Sequence, residues 1–421
     1  MKGRNEDAIP VVRRHKEVNN APQKKAPPPP KRKKVKIDYS DIEVSEYYLK
    51  AAKKYRVAKM LTFVVLIAFL AANLLFFREN ITYNNMMYLL RDLDTGVSAP
   101  SGEFASISYN EESSSAYGIF KGRLAIAHSS GFALYNSTGS RELEEKGHMQ
   151  NPAIEAGEKY AVAYDVGGHS YSIYTTMARV LEKQSDDIIE NACVSDSGNY
   201  AIVTRSNEAK YLVSVYKENL KLHTSYYKEK LVVDVALDSS GKKLVIVSAD
   251  VDVSSVYTEI VLAKPGSEET ETLTVENAMP LAAAYMEDGE LLVLCDSKLV
   301  AVSDGKVTEK YAFGGTPELF YMAKDSVAVV CSENAVATDC SVYLFDKNGN
   351  MTYNVSVEEK LTDVACDSGA IYVMSDEMIY AYYTDNTVKS AEGGATVNDI
   401  VPLYSSLLKC EKLGTSLISF E

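Results

Sequence analysis

The stretch LDSSGKKLVIVS, residues 237–248, decides the fold. A polar turn centred on Gly241 runs straight into an apolar strand. Variants return as FKGRLAIAH (120–128), IEAGEKYAVAYD (154–165), VSDSGNYAIVTR (194–205), MEDGELLVLCD (286–296), MAKDSVAVVCS (322–332) and CDSGAIYVMSD (366–376). The turns sit at Gly122, Gly157, Gly198, Gly241, Gly289, Asp325 and Gly369, at intervals of 35, 41, 43, 48, 36 and 44 residues. Glycine supplies the positive φ of a tight hairpin, and the Asp or Ser before it caps the turn.

A second strand–turn–strand element follows each of these, as in FALYNSTGSREL (132–143) and SVYLFDKNGNMTYNV (341–355). Four short strands per ~40 residues is the pattern of a β-propeller blade. One such sheet cannot bury both its faces, and blades set around an axis bury them against each other. A parallel β-helix has shorter repeats without antiparallel hairpins, and a sandwich does not explain seven matching intervals. The C-terminal stretch 398–421 supplies three strands and stops, while EFASISY (103–109) is a strand without a partner. If it completes the last blade, the ring has eight blades and no free edge; seven blades is the alternative. The expected class is all-β, an eight-bladed propeller after one transmembrane helix and a disordered basic tail.

The charge of the 421-residue chain is divided. Up to Lys59 there are 17 Lys and Arg against 7 Asp and Glu; the remaining 27 basic and 51 acidic residues give −24. MLTFVVLIAFLAANLLFF (60–77) holds 18 residues without a charge. As a helix it is about 27 Å long, close to the ~30 Å hydrocarbon core. Lys50, Lys53, Lys54, Arg56 and Lys59 flank its N-terminal side, so the positive-inside rule places 1–59 in the cytoplasm and the rest outside. The expected location is the cell membrane, single-pass. The tail 1–37 carries APPPPKRKKVK (26–36), a polyproline rod followed by a self-repelling basic run. It reads as a tail attracted to anionic lipid head groups, with a Pro-recognising partner or a nuclear import signal as alternatives. Residues 38–59 read as an amphipathic juxtamembrane helix, 78–102 as a linker with a short helix over 81–93, and 103–421 as the propeller.

On this architecture and on turns such as Asp238 to Lys242, the chain resembles a family of mostly Gram-positive bacterial proteins with a basic cytoplasmic N-terminus, one transmembrane helix and an outer propeller of unknown function. More distantly it is similar to quinoprotein-type propellers and their non-catalytic relatives in envelope assembly. The resemblance implies no functional residues. WD repeats need a Trp-Asp pair per blade and quinoprotein dehydrogenases use docking Trp residues; this chain has 29 Tyr and no Trp. No cofactor is expected.

Catalytic patterns are sparse. There is no G-x-S-x-G elbow, P-loop or H-E-x-x-H, and YDVGGHS (164–170) opens no helix that would hold a phosphate. His128 and His169 follow the second strands of the first two repeats, and Asp165 ends YAVAYD. Asp250 and Asp252 stand in D-x-D spacing in SADVDVSSVY, and Glu333 and Asp339 lie in the long loop of the sixth repeat. These seven are the candidate binding-face residues; calcium would need six or more oxygens in an orderly loop. Cys331 and Cys340 flank that loop and are candidates to pair across adjacent strands. An acidic outer domain without a basic stripe excludes nucleic acid. The expected function is a membrane-anchored, non-catalytic binding or scaffold module for an envelope protein, peptide or glycan. The alternative is a hydrolase or lyase whose acid and base converge from several blades.

Overall fold

The computed structural model describes residues 46–76, 104–109, 115–252, 255–267, 269–332, 339–393, 396–404 and 406–420. The tail 1–37, the segment 81–93 and Glu333 lie outside them. The chain divides into two units, Met1–Phe76 and Phe77–Glu421.

In the first unit one helix runs without a break over Glu46–Phe76. No Gly or Pro interrupts it, so the described parts of the stretch read as juxtamembrane and of the uncharged run form one rod. Its window Tyr48–Ala72 has a mean hydropathy of 1.8, is long and apolar enough to cross a membrane, and has no share buried. Thr62 removes its own polarity by donating Oγ1–H to the Ala58 carbonyl at 3.0 Å.

The second unit is an eight-bladed propeller: eight antiparallel four-stranded sheets. Seven are continuous in sequence, at 115–146, 152–184, 189–228, 231–276, 280–312, 316–357 and 361–392 (blades 1 to 7). Blade 8 takes its inner three strands from Val397–Leu403, Ser406–Glu411 and Gly414–Leu417, and its outermost from Ile107–Ser108. Ile107 pairs with Thr415 and Ser108 with Gly414. The Tyr109 amide continues the ladder to the Leu413 carbonyl at 3.1 Å, and its hydroxyl meets Thr415 Oγ1 at 2.8 Å.

The core follows from this geometry. A blade's second strand has a sheet neighbour on either side and a blade over each face, so it reads as an unbroken apolar run instead of alternating. AVAYD (Ala161–Asp165), LLVLC (Leu291–Cys295) and AIYVMS (Ala370–Ser375) are buried at every residue. Eight hydrophobic clusters fill the eight spaces between neighbouring blades. In one of them Phe104, Ile107 and Tyr109 from the closing strand pack on Leu124 and Ile126 of blade 1 and Leu408 of blade 8.

The first turns behave as expected where φ is positive, as at Gly241, with φ +67°. There Asp238 Oδ1 accepts the Lys242 and Lys243 amides, each at 2.7 Å. Gly157 departs from the expectation, for its φ is not positive. Proximity selects it instead: a Cβ would stand 2.5 Å from the Ser195 carbonyl oxygen of blade 3. The two candidate cysteines also depart from it. Cys331 lies opposite Ser341, and Cys340 opposite Ser332. Their side chains therefore leave the sheet on opposite faces, one into the cluster shared with blade 5 and the other into that shared with blade 7. All six cysteines are free and buried.

Because Ile107 is 3% exposed at the closure, Ile107→Ala should destabilise the propeller by about 2–4 kcal/mol, read as a lower urea midpoint. An unchanged midpoint would show that the ring does not depend on this strand.

Candidate binding face

Turns joining the second and third strands, and the connections between blades, share one face of the ring, here the upper. Turns joining innermost to second and third to outermost strands share the lower. The candidate residues that the structure describes belong to the upper face, spread over blades 1, 2, 4 and 6.

Two of them are committed to the fold. His128 ends its strand rather than following it; it is 7% exposed, with Nδ1 2.9 Å from Ser130 Oγ. Burial holds its imidazole below the usual value, while the Glu144 charge pulls the other way. Asp165 is buried and its Oδ1 accepts the amides of Gln150 and Asn151 at 2.8 and 2.7 Å, tying the blade 1–2 connection to blade 2. His169 is exposed on the turn of blade 2, its Nδ1–H donating to the Ser185 carbonyl at 3.1 Å. Asp339 is exposed just before the third strand of blade 6.

Asp250 and Asp252 belong to the strand Leu244–Asp252, which forms a long hairpin with Ser255–Ala263. The innermost strand of blade 4 reaches only as far as Ala249, opposite Leu231, and the outermost only as far as Tyr257, opposite Glu276. Asp250, Val251 and Asp252 therefore project beyond the sheet, paired only with their hairpin partners. A polar brace holds the base. Asp250 Oδ2 accepts the Tyr257 hydroxyl at 2.5 Å and lies 3.0 Å from Lys230 Nζ, and Lys230 also meets Glu259. The Tyr257 hydrogen bond, then Lys230, holds the Asp250 carboxyl down at about 2. Val251 (71% exposed) and Val256 face one another on the projection. Tyr227, Leu231 and Met279, at the blade boundaries on either side, are exposed as well.

Sequence reasoning missed the axial residues. Each innermost strand turns one edge to the axis, where no further strand satisfies its amides. In blades 3 to 8 this strand carries a bulge. The residue following it is Asn191, Asp234, Ala282, Leu319, Asp363 or Asp399. Asp234 Oδ1 accepts the Val235 amide and Asn191 Nδ2, and its Oδ2 accepts the Ala283 amide of blade 5, all at 2.8 Å. Asp363 repeats this, with Val364 at 2.8 Å and Ile400 of blade 8 at 2.9 Å. The signal was an Asn or Asp four residues before the Ser or Asp that opens the first turn: Asn191–Ser195, Asp234–Asp238, Asp363–Asp367.

These carboxyls are held toward their neutral forms. Burial raises Asp234 to about 6, its hydrogen bonds opposing, and burial with the Asp234 charge raises Glu155 to about 8. Glu155 stands on the innermost strand of blade 2, and its side chain is open to solvent. Asp399 is driven up by burial and by Asp363 beside it. On the lower face Lys324 of blade 6 reaches across the axis to Asp196 of blade 3, with Nζ 2.7 Å from Oδ1. Among the described residues no three His, Cys, Asp or Glu side chains come together to hold a metal ion.

The chain belongs to the DUF5711 family, a family of unknown function, whose model matches residues 103–406. No curated protein matches it in sequence. Among solved structures, it is similar to Sqt1 of Saccharomyces cerevisiae (TM-score 0.56, 11% identity), covering 76% of this chain and 100% of that one. It is also similar to BamB of Moraxella catarrhalis (TM-score 0.53, 13% identity), covering 76% of this chain and 97% of that one. These likenesses show the propeller fold.

Two outcomes are expected. Asp234→Ala strips two backbone amides of their acceptor and should cost about 2–4 kcal/mol in denaturant unfolding. Carboxyls raised in the folded state bind protons that the unfolded chain, titrating near 4, has lost. Their contribution is complete below pH ~4 and fades as pH rises through their folded values. The melting temperature should therefore fall from pH 5 to pH 9, and Glu155→Gln should shallow that fall; a parallel profile in the variant would contradict the assignment.

Proposed function

We propose that this protein is a membrane-anchored binding module. The helix Glu46–Phe76 holds the chain in the bilayer, with the basic N-terminal segment on the cytoplasmic side near anionic head groups. The propeller outside presents its upper face to a protein, peptide or glycan of the envelope. The observation that carries this reading is the pair Val251 and Val256, exposed and facing one another on a braced hairpin that projects beyond its sheet. The three residues that carry Val251 beyond the sheet bury nothing of the ring, and an apolar pair held out in this way suits a partner's surface.

One feature supports the anchoring. A helix whose apolar side chains are all exposed stays costly until lipid covers it.

The test is partner capture from detergent-solubilised membranes with the full chain as bait. Val251→Asp with Val256→Asp should lose the captured partner by tenfold or more at an unchanged melting temperature. Leu222→Asp, an equally exposed change on the lower rim (58% exposed), should retain it. Equal loss in both variants would sink the reading, as would capture that survives the hairpin changes.

A further inference from the structure

A second feature of the upper face lies away from blade 4. Between blades 2 and 3 a cleft of about 730 Å³ is lined by His169, Asp186, Asp187, Arg205, Lys210 and Tyr211 among others. That volume is inside the ~300–1,000 Å³ range of small-molecule sites.

Its walls are fixed by main chain. Gly167 and Ile189 exchange bonds across it, with Gly167 N to Ile189 O and Ile189 N to Gly168 O both at 2.8 Å. The Arg205 amide donates to Ile188 O at 2.9 Å, and the Ser206 amide to Lys210 O at 3.1 Å. The Asp187 amide donates to Ser185 Oγ at 3.2 Å. On this frame two carboxylates stand on one connection, and a guanidinium and an ammonium stand on the next turn. Among the described residues no ion pair joins them, although the salt bridges elsewhere on the propeller form freely, as in Arg179 with Glu145 and Glu182. Arg205 is turned to Glu190, on its own blade. The side chains of Asp186, Asp187, Lys210 and Tyr211 make no hydrogen bond among the described residues, and His169 is oriented by its Nδ1–H, which donates to the Ser185 carbonyl.

Opposite charges carried on one fixed stretch of main chain, those of Asp186, Asp187 and Lys210 without a partner among the described residues, are complementary to a ligand that carries both charges at once. A net anion would meet Asp186 and Asp187, and a net cation would meet Arg205 and Lys210. We propose that this cleft binds a short peptide with free termini, its ammonium on Asp186 and Asp187, its carboxylate on Lys210 and Arg205, and a peptide bond against the Tyr211 hydroxyl. Charged termini are recognised this way elsewhere, through fixed donors and acceptors. The proposal stands apart from the blade 4 patch.

Calorimetric titration of the detergent-solubilised full chain with L-Ala-L-Ala tests it. The dipeptide should bind saturably at one site. N-acetyl-Ala-Ala, which lacks the ammonium, and Ala-Ala-amide, which lacks the carboxylate, should each bind at least tenfold more weakly. Lys210→Gln should erase the discrimination against the amide, and Asp186→Asn the discrimination against the acetylated form. The paired Val251→Asp and Val256→Asp changes should leave dipeptide binding intact, so the two proposals fail separately. No binding at 10 mM dipeptide would overturn it. So would blocked forms that bind as well as the free one, or saturable binding of the neutral sugar N,N′-diacetylchitobiose in place of the peptide.

Discussion

Eight strands each present an edge to one axis, and every amide on those edges must find an acceptor without a ninth strand to offer it. That requirement governs the middle of the molecule. A bulge shifts each innermost strand from blade 3 onward, and in blades 3, 4 and 7 the next residue reaches the following blade. Asp234 and Asp363 use one oxygen for their own strand and the other for their neighbour's. Each carboxyl is thus a coupling between blades, made where the wedge-shaped sheets come closest and side chains have least room. Its cost is a carboxylate taken out of water, and burial raises both groups above the ordinary carboxylate range against the pull of their hydrogen bonds.

The periphery obeys a different rule. Between blades the contact is apolar and repeats eight times. It tolerates variety in what lies above it, so turns on the upper face differ in length and chemistry. Blade 4 lengthens its hairpin beyond the sheet, and blades 2 and 3 leave a charged cleft between them. Function on a propeller resides in such turns because the ring beneath them does not move to accommodate them.

Much of the ring was legible in the sequence. The interval between turns is a property of the blade, and the orphan strand at 103–109 matched the missing one at the C-terminus, so the blade number followed from closure. The candidate site was less legible. His128 and Asp165 look like loop ligands because they end apolar runs, yet the same position places them where the inter-blade connection needs hydrogen bonds. Cys331 and Cys340 look like partners by spacing, but one step of strand register sends them to opposite faces. The axial carboxylates stayed hidden because their partners are backbone amides of the next blade, about 40 residues away and with no side-chain signature. The unpaired charges of the cleft depend on what fails to meet in space, which no spacing along the chain encodes.

Closure by the N-terminal strand has a temporal consequence. Tyr109 and Thr415, joined in the finished ring, are 306 residues apart. The first strand made must wait for the last, roughly 15–60 s at ordinary elongation rates. During that interval Phe104, Ile107 and Tyr109 are apolar side chains with no surface to cover them, and blade 1 offers an open flank. The seven blades made in between must hold that flank open until the last three strands arrive, so the ring is completed only by the end of the chain.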